Sequence, residues 1–378
     1  MRHFLLSFGV SAASTLLLVH ASKGRGSLFI DKDFTKPQKF HSVPVSRAGG
    51  VGVLLGVLAS VVVMSRSAGT DSAQLGVLLM ACAMPAFLAG LYQDFNDTLT
   101  PRYRLFATAL SAVLAYFLLG AAVRQADIPG LDWLLGFGLG SLVVTVLAVA
   151  GIANAVNIID GLNGLASMCL VIMLGAIAYV AFEVGDPLVQ ILAVAGVGAV
   201  LGFFIWNFPA GLIFLGDGGA YFLGFYVAEV AILLLVRNPG VSPLFALLVC
   251  IYPVFETLFS IYRRYWLRSK LPSLPDGIHL HSLVYRRLMR WAVGNRSAKA
   301  LTRRNSMSSP YLWLLCSSSV APAVLFWDNP VVLGSCLLVF IAGYVVLYRR
   351  IVRFQSPRWL RISRRRLRLP VARDNPHP

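Results

Sequence analysis

The sequence predicts an all-α integral membrane protein that crosses the bilayer many times. Of its 378 residues, 57% are hydrophobic and 13% are charged, and the mean hydropathy is +0.74. This composition excludes an ordinary soluble domain and a disordered chain. The apolar runs are long and rarely alternate with polar residues, which favours helices over the strands of a membrane barrel. All five cysteines lie in apolar stretches without metal-ligand spacing, so a disulfide framework or a zinc site is not expected.

Eleven apolar runs have the length of a membrane-spanning helix. A hydrocarbon core about 30 Å thick needs about 17 to 25 apolar residues for each helix. The predicted spans are 4–20, 48–65, 73–92, 105–123, 133–152, 164–182, 188–206, 219–236, 243–262, 310–328 and 331–348. We expect them to form one polytopic domain over residues 1–348, with a large loop at 263–309 and a basic tail at 349–378.

The distribution of Lys and Arg predicts the orientation of the spans. The chain has 33 Lys and Arg against 16 Asp and Glu, and its net charge is +17. All but four of these cations lie in segments 21–47, 93–104, 263–309 and 349–378, which share one side if the spans alternate. Because positive charge concentrates on the inside, the N-terminus is predicted outside and the C-terminus inside. The same rule argues against a cleaved signal peptide at residues 4–20, since one cation precedes that run and six follow it.

Polar residues concentrate in five segments on the predicted inner side. The first, KPQKFHSVPVSRAGG, carries Lys39, His41 and Arg47 before a glycine pair. Such cations and exposed N–H groups could hold a phosphate, or they could simply flank a span that packs closely. The second, GLYQDFND, places Gln93 and Asp94 at the inner end of the third span. Its carboxylates suit a hard cation such as Mg²⁺, and a helix cap in a solvated turn is the alternative.

The third segment, NAVNIIDGLNGL, carries a polar residue at every third position. These residues are Asn154, Asn157, Asp160 and Asn163, and their spacing draws a stripe that drifts slowly around a helix. An Asp at membrane depth costs about 2.5 to 3.5 kcal/mol on insertion scales, so the stripe is expected to face a polar cavity or a ligand. Hydrogen bonds between helices are the alternative.

The fourth and fifth segments add an aspartate among glycines and a histidine pair. The fourth, WNFPAGLIFLGDGGAYFLGF, contains Asn207 and Asp217. The glycines around Asp217 could present its carboxylate to a metal or a phosphate, and a helix cap is the alternative. The fifth, PDGIHLHSLVYRR, places His279 and His281 two residues apart, followed by Arg286. With no Cys beside them, these histidines favour contact with phosphate or nucleotide over zinc.

In this order, the five segments resemble the polyprenyl-phosphate N-acetylhexosamine-1-phosphate transferases, or glycosyltransferase family 4. The resemblance rests on HSVPVSRAGG, GLYQDFND, NAVNIIDGLNGL, FLGDGGAYFLGF and PDGIHLHSLVYRR and covers about residues 36–290. Members of this family use Mg²⁺ to transfer a sugar 1-phosphate from a UDP-sugar to a polyprenyl phosphate, and they release UMP. The resemblance implies a multi-pass enzyme of the bacterial inner membrane, with a cytoplasmic active site. Its substrates would be a UDP-N-acetylhexosamine and undecaprenyl phosphate, and its product the first lipid-linked intermediate of a surface polysaccharide.

The resemblance also implies roles for individual residues. Asp94, Asp160 and Asp217 are the expected catalytic residues, and Asp217 and Asp94 are the expected ligands of Mg²⁺, with Mn²⁺ as the alternative ion. The candidate substrate-binding residues are Lys39, His41, Arg47, Asn154, Asn157, Asn163, Asn207, His279, His281 and Arg286. Two positions depart from the family pattern, because Gln93 and Asn163 stand where acids are usual. Gln cannot act as a base and is a weaker Mg²⁺ ligand. A lipid monophosphate is largely dianionic at pH 7 and can attack without a base.

Three other functions are open alternatives. The phospho-N-acetylmuramoyl-pentapeptide transferases have a similar layout but typically a longer histidine run than HLH. A catalytically silent relative that binds a nucleotide sugar is suggested by Gln93 and Asn163. A transporter is disfavoured, because no repeated halves are detected and the acids cluster at the inner ends of spans. The basic tail predicts contact with anionic lipid and requires no nucleic acid, and a homodimer is left open.

Overall fold

The computed structural model describes residues 1–22, 30–31, 45–96, 98–268, 278–289 and 298–353, and within these ranges the chain is almost wholly helical. Two short strands, β1 (Ile30–Asp31) and β2 (Val45–Ser46), pair antiparallel. The helices are α1 (Arg2–Ala21), α2 (Gly49–Val63), α3 (Ser65–Asn96), α4 (Pro101–Leu118), α5 (Leu131–Leu135), α6 (Gly138–Ile159), α7 (Leu165–Glu183), α8 (Pro187–Asn207), α9 (Gly216–Arg237), α10 (Pro243–Val249), α11 (Ile251–Arg268), α12 (Leu280–Leu283), α13 (Ala298–Leu325) and α14 (Pro330–Val352). A π-helical turn, Val284–Leu288, follows α12.

Seven of the described helices are long and apolar enough to cross a membrane. They are α1, α3 from Gly69 onward, α6, α7, α8, α9 and α14. An eighth crossing results if α10 and α11 form one broken span. The chain is therefore a multi-pass helical membrane protein, as the composition predicts. A helix lies at each of the eleven predicted spans, but the number of crossings and the orientation of the termini stay predictions.

The predicted span at 243–262 is two helices rather than one. α10 and α11 meet at an angle of 71°. Pro253 lies in the first turn of α11 and has no N–H to continue the hydrogen-bonding pattern of α10, which accounts for the break. Helices enter the predicted large loop, 263–309, from both sides, since α11 runs to Arg268 and α13 begins at Ala298. Most of the basic tail, 354–378, lies outside the described residues.

α9 is the central helix. In its 18-residue apolar stretch, 89% of the residues are buried. α2, α3, α4, α6, α7 and α8 pack against it. Glycine allows a close approach to α6, because a Cβ at Gly224 would collide with the backbone of Ala153. Small residues are the usual means by which membrane helices approach each other.

The glycine pair at the start of α2 packs against the start of α9. The N–H groups of Gly49 and Gly50 donate to the carbonyls of Phe214 and Leu215, at 3.0 and 2.9 Å. A Cβ at Gly50 would collide with Gly219. These N–H groups are therefore used within the protein and do not form the phosphate cradle that the sequence suggested. The alternative interpretation, close helix packing, is the one observed.

Candidate active site

Asp217 occupies the centre of the candidate site, in the first turn of α9. Its Oδ1 accepts a hydrogen bond from the Asn157 side chain in α6, at 2.9 Å. Its Oδ2 forms an ion pair with Arg104 in α4. The Asp217 side chain is 26% exposed, so it remains accessible to a ligand. Because the N-terminal end of a helix carries partial positive charge, this position favours a carboxylate.

Asp94, from α3, caps the N-terminal end of α9. Its two carboxylate oxygens accept the backbone N–H groups of Asp217 and Gly218, both at 2.9 Å. Gly216 makes this contact possible, because its φ of +77° lies in the left-handed region. A Cβ at Gly216 would also lie 2.6 Å from Asp94 Oδ2 and collide with the carbonyl oxygen of Arg47. Asp94 thus fixes the direction in which α9 presents Asp217.

Asp160 follows the last residue of α6 and is half-buried. Burial and the nearby charge of Asp217 raise the pKa of Asp160 to about 7. Burial disfavours the charged carboxylate, and a second negative charge adds to this effect. The structure therefore brings the three predicted aspartates together at the N-terminal end of α9.

Arg104 and Tyr221 belong to the same cluster, although the sequence analysis assigned no role to either. The Arg104 guanidinium lies 5.6 Å from the centre of the Tyr221 ring. Its Nε is buried and has no hydrogen-bond partner among the described residues. The Tyr221 hydroxyl contacts Asn154 Oδ1 at 3.3 Å. One cation thus offsets part of the negative charge of the aspartates.

The donor set fits Mg²⁺ bound together with a substrate. Mg²⁺ is usually held by one or two carboxylates, and water and substrate phosphates complete its coordination. Asp217, whose side chain is partly exposed, and the half-buried Asp160 can supply these carboxylates, whereas the Asp94 carboxylate is buried beneath the start of α9. Among the described residues, no group of three or more His, Cys, Asp and Glu could form a cage made of protein ligands alone.

The predicted histidine pair lies beside the segment that carries Asp160. His279 and His281 are buried, and their rings stack 5.4 Å apart with 7° between their planes. The His281 ring covers Gly161, where a Cβ would lie 2.9 Å from the ring nitrogen Nε2. Arg286 is exposed in the π-helical turn that follows. The structure thus brings the histidines, but not the exposed Arg286 side chain, into the buried cluster.

Asn163 and Asn207 hold loops together. The Asn163 backbone N–H donates to Asn305 in α13 at 2.7 Å, and its side chain donates to Ser306 at 3.3 Å. Asn207 accepts the Gly164 N–H at 2.6 Å through its side-chain oxygen. These contacts fix the turns after α6 and α8, and substrate binding by either residue stays a prediction.

The first predicted segment is only partly described. Lys39 and His41 lie outside the described residues. Arg47 is half-buried, and its carbonyl oxygen lies against Gly216 at the start of α9. Arg47 is therefore the residue of this segment that the structure places beside the aspartates.

An apolar cavity of about 400 Å³ adjoins the aspartate cluster. α4, α6, α9, α10 and α11 form its walls. Representative lining residues are Leu105, Ile152, Asn154, Ala231, Leu247 and Leu258. Leu105 follows Arg104 in the chain, and Asn154 lies one helical turn before Asn157. Two lining residues are therefore near neighbours in the chain of the groups that bind Asp217.

Comparison with known proteins shows what the chain is similar to. The sequence model of glycosyl transferase family 4 matches residues 76–235. The chain is 29% identical over 303 residues to a probable undecaprenyl-phosphate N-acetylglucosaminyl 1-phosphate transferase of Bacillus subtilis (strain 168), which covers 78% of this chain and 80% of that protein. It is 34% identical over 194 residues to a phospho-N-acetylmuramoyl-pentapeptide-transferase of Geobacillus sp. (strain WCH70), which covers 49% of this chain and 60% of the relative. The resemblance to glycosyl transferase family 4 seen in the motifs of this chain is therefore confirmed.

We expect the variant Asp160→Asn to gain stability relative to the wild type as the pH rises from about 5 to about 8 in metal-free buffer. An unfolded Asp titrates near pH 3.9, whereas the pKa of Asp160 in the folded protein is about 7. The folded wild type must therefore give up a favoured proton over this interval and loses stability, while Asn does not titrate. Thermal unfolding of the detergent-solubilised protein at several pH values measures the difference.

Asp71→Asn, which removes a charge at an exposed position, controls for the change in net charge. A difference in Tm between Asp160→Asn and the wild type that does not change with pH would contradict this assignment.

Proposed function

We propose that this protein transfers an N-acetylhexosamine 1-phosphate from a UDP-sugar to a polyprenyl phosphate such as undecaprenyl phosphate. The observation that carries this proposal is a cluster of three aspartates and one arginine at the end of an apolar cavity. A charged sugar nucleotide and a long apolar lipid need these two environments side by side. The similarity to a probable undecaprenyl-phosphate N-acetylglucosaminyl 1-phosphate transferase of Bacillus subtilis supports the same lipid acceptor and the same type of transferred group.

The apolar cavity suits the chain of the lipid substrate. The lining of the cavity is apolar, like the hydrocarbon core of the bilayer, so an isoprenoid chain can pass from the membrane into the cavity without exposing its CH₂ groups to water. Leu105 and Asn154 line the cavity, and they are near Arg104 and Asn157 in the chain. A lipid held there would place its phosphate next to Asp217.

The transfer needs positioning and charge neutralisation more than proton transfer. An oxygen of the lipid phosphate attacks the β-phosphorus of the UDP-sugar and forms a P–O bond. The bond from that phosphorus to the bridging oxygen breaks, and the bridging oxygen leaves on UMP. The lipid phosphate and UMP each carry about two negative charges at pH 7, so no net proton transfer is required. The presence of Gln93 at the first acidic position is consistent with this scheme.

Asp217 and Asp160 are the residues that would hold Mg²⁺ in this reaction. When bound, Mg²⁺ would neutralise the diphosphate and stabilise the charge on departing UMP. Asn157 and Arg104 orient the Asp217 carboxylate through direct contacts. His281 lies over Gly161, the residue after Asp160, and would contact the donor from this position.

The proposed setting is the cytoplasmic face of a bacterial inner membrane. The excess of Lys and Arg in the predicted inner segments supports this side. The product would be the first lipid-linked intermediate of a surface polysaccharide. Transfer of phospho-N-acetylmuramoyl-pentapeptide is the second candidate, since relatives with that name are 34% identical over about half of the chain. An assay of UMP release distinguishes the two candidate functions. Release from UDP-N-acetylglucosamine supports the first, and release from UDP-N-acetylmuramoyl-pentapeptide supports the second.

Asp217→Asn should lower kcat for UMP release by at least about 100-fold, because Asn keeps the size of the side chain but removes the charge that faces the reacting groups. Purified protein with undecaprenyl phosphate and UDP-sugars provides the assay, and exchange of labelled UMP into the UDP-sugar checks the reverse reaction. Asp71→Asn should retain activity. Undiminished turnover in Asp217→Asn would remove this residue from the mechanism.

Arg104→Gln should reduce kcat/KM by about 10- to 100-fold, and Arg104→Lys should recover part of the loss. Gln lacks the charge that pairs with Asp217. Lys restores the positive charge but lacks the planar guanidinium group of Arg, which can form two parallel hydrogen bonds with a carboxylate. Arg102→Gln, two residues away at an exposed position, is the matched control. Equal losses in Arg104→Gln and Arg102→Gln would show that only the general positive charge of α4 matters.

A further inference from the structure

A buried carboxylate joins the histidine segment to the last described helix. Glu256 in α11 is 1% exposed. Its Oε1 lies 3.1 Å from His279 Nδ1 and accepts the Leu280 N–H at 2.9 Å. Its Oε2 accepts the hydroxyl of Tyr344, from α14, at 2.6 Å. Both carboxylate oxygens are therefore hydrogen-bonded, and one of them holds a histidine of the candidate site.

A second set of contacts fixes the residue just before His279. The Ile278 carbonyl accepts hydrogen bonds from Arg263 at 2.7 Å and from the Tyr348 hydroxyl at 3.0 Å. The Arg263 guanidinium also lies 5.3 Å from the centre of the Tyr348 ring. Arg263 belongs to α11 and Tyr348 to α14, so the same two helices hold the segment at neighbouring points.

The restraint on His279 extends to the aspartate cluster. The His279 ring stacks on His281, whose ring covers Gly161. Gly161 follows Asp160 directly. A shift of His279 would therefore displace the ring that packs against Gly161. Close packing allows little independent movement of such neighbours.

We propose that Glu256 and Tyr344 are positioning residues that hold His279 and His281 beside Asp160 for the transfer reaction. This inference rests on the proposed function. A carboxylate that accepts the Nδ1 proton of a histidine selects one tautomer and one ring orientation. The Tyr344 hydroxyl donates to the other carboxylate oxygen and so fixes the carboxylate itself. α14 lies outside the region that matches the family model, residues 76–235, so this support comes from another part of the chain.

A purely structural role would make the same contacts, so the test must separate position from stability. Tyr344→Phe removes one hydroxyl, and Glu256→Gln removes the charge while keeping an acceptor. Tyr226→Phe is the matched control, because it removes a buried tyrosine hydrogen bond to the Leu192 carbonyl, 2.7 Å long and outside the site. The full-length protein in detergent is used throughout.

Two measurements are made on each variant. ¹⁵N-histidine labelling, with the His279 signals assigned by His279→Gln, reports the tautomer. Steady-state kinetics of UMP release reports kcat and KM for the UDP-sugar. We expect the wild type to show a protonated Nδ1 on His279, and both site variants to shift this signal. We also expect kcat to fall about 10- to 100-fold with little change in KM, since outer contacts of a reactive group typically have effects of this size.

The proposal is overturned if Tyr344→Phe and Glu256→Gln keep the wild-type His279 signals. It is also overturned if their kcat falls no more than that of Tyr226→Phe. A wild-type protein that releases no UMP from any UDP-sugar would instead contradict the proposed function. In that case the ¹⁵N signals would still decide whether Glu256 and Tyr344 hold His279.

Discussion

The contact between Asp94 and the first N–H groups of α9 determines the position of the whole site. The first N–H groups of a helix have no acceptor within the helix, and in a membrane protein each unsatisfied group costs several kcal/mol. Asp94 accepts two of them at once, and Gly216 turns the chain so that it can do so. Because α9 is the most deeply buried span, its start is fixed relative to α2, α3 and α6. Asp217 therefore faces Asn157 and Arg104 in a defined orientation.

Charge balance explains why the cluster can exist beside an apolar cavity. Three carboxylates placed close together repel one another, and burial penalises each of them further. Arg104 offsets one charge directly, and the pKa of Asp160 rises to about 7 so that this group can hold a proton. A divalent cation with a phosphate substrate would supply the remaining compensation. The cluster thus suits phosphate chemistry better than a structural role.

Much of the architecture follows from the sequence because it depends on local patterns. Long apolar runs predict membrane helices wherever they occur, and the stripe from Asn154 to Asp160 predicts a polar face on α6. The bend between α10 and α11 was missed, although Pro253 supplied a signal for it. The contacts of Asn163 could not be predicted from local patterns, since its partners Asn305 and Ser306 lie more than 140 residues away in α13. Arg104 was missed because a cation near the end of a span is ordinary in a membrane protein.

Hydrogen–deuterium exchange over the start of α9 tests the central claim most directly. In the wild type, the amides of Asp217 and Gly218 should be protected, because Asp94 accepts both of them. In Asp94→Ala, peptides covering residues 214–220 should exchange faster, while peptides from α7 keep their wild-type rates. Unchanged exchange over 214–220 in Asp94→Ala would contradict the account, since it would mean that α9 begins at the same place without this carboxylate.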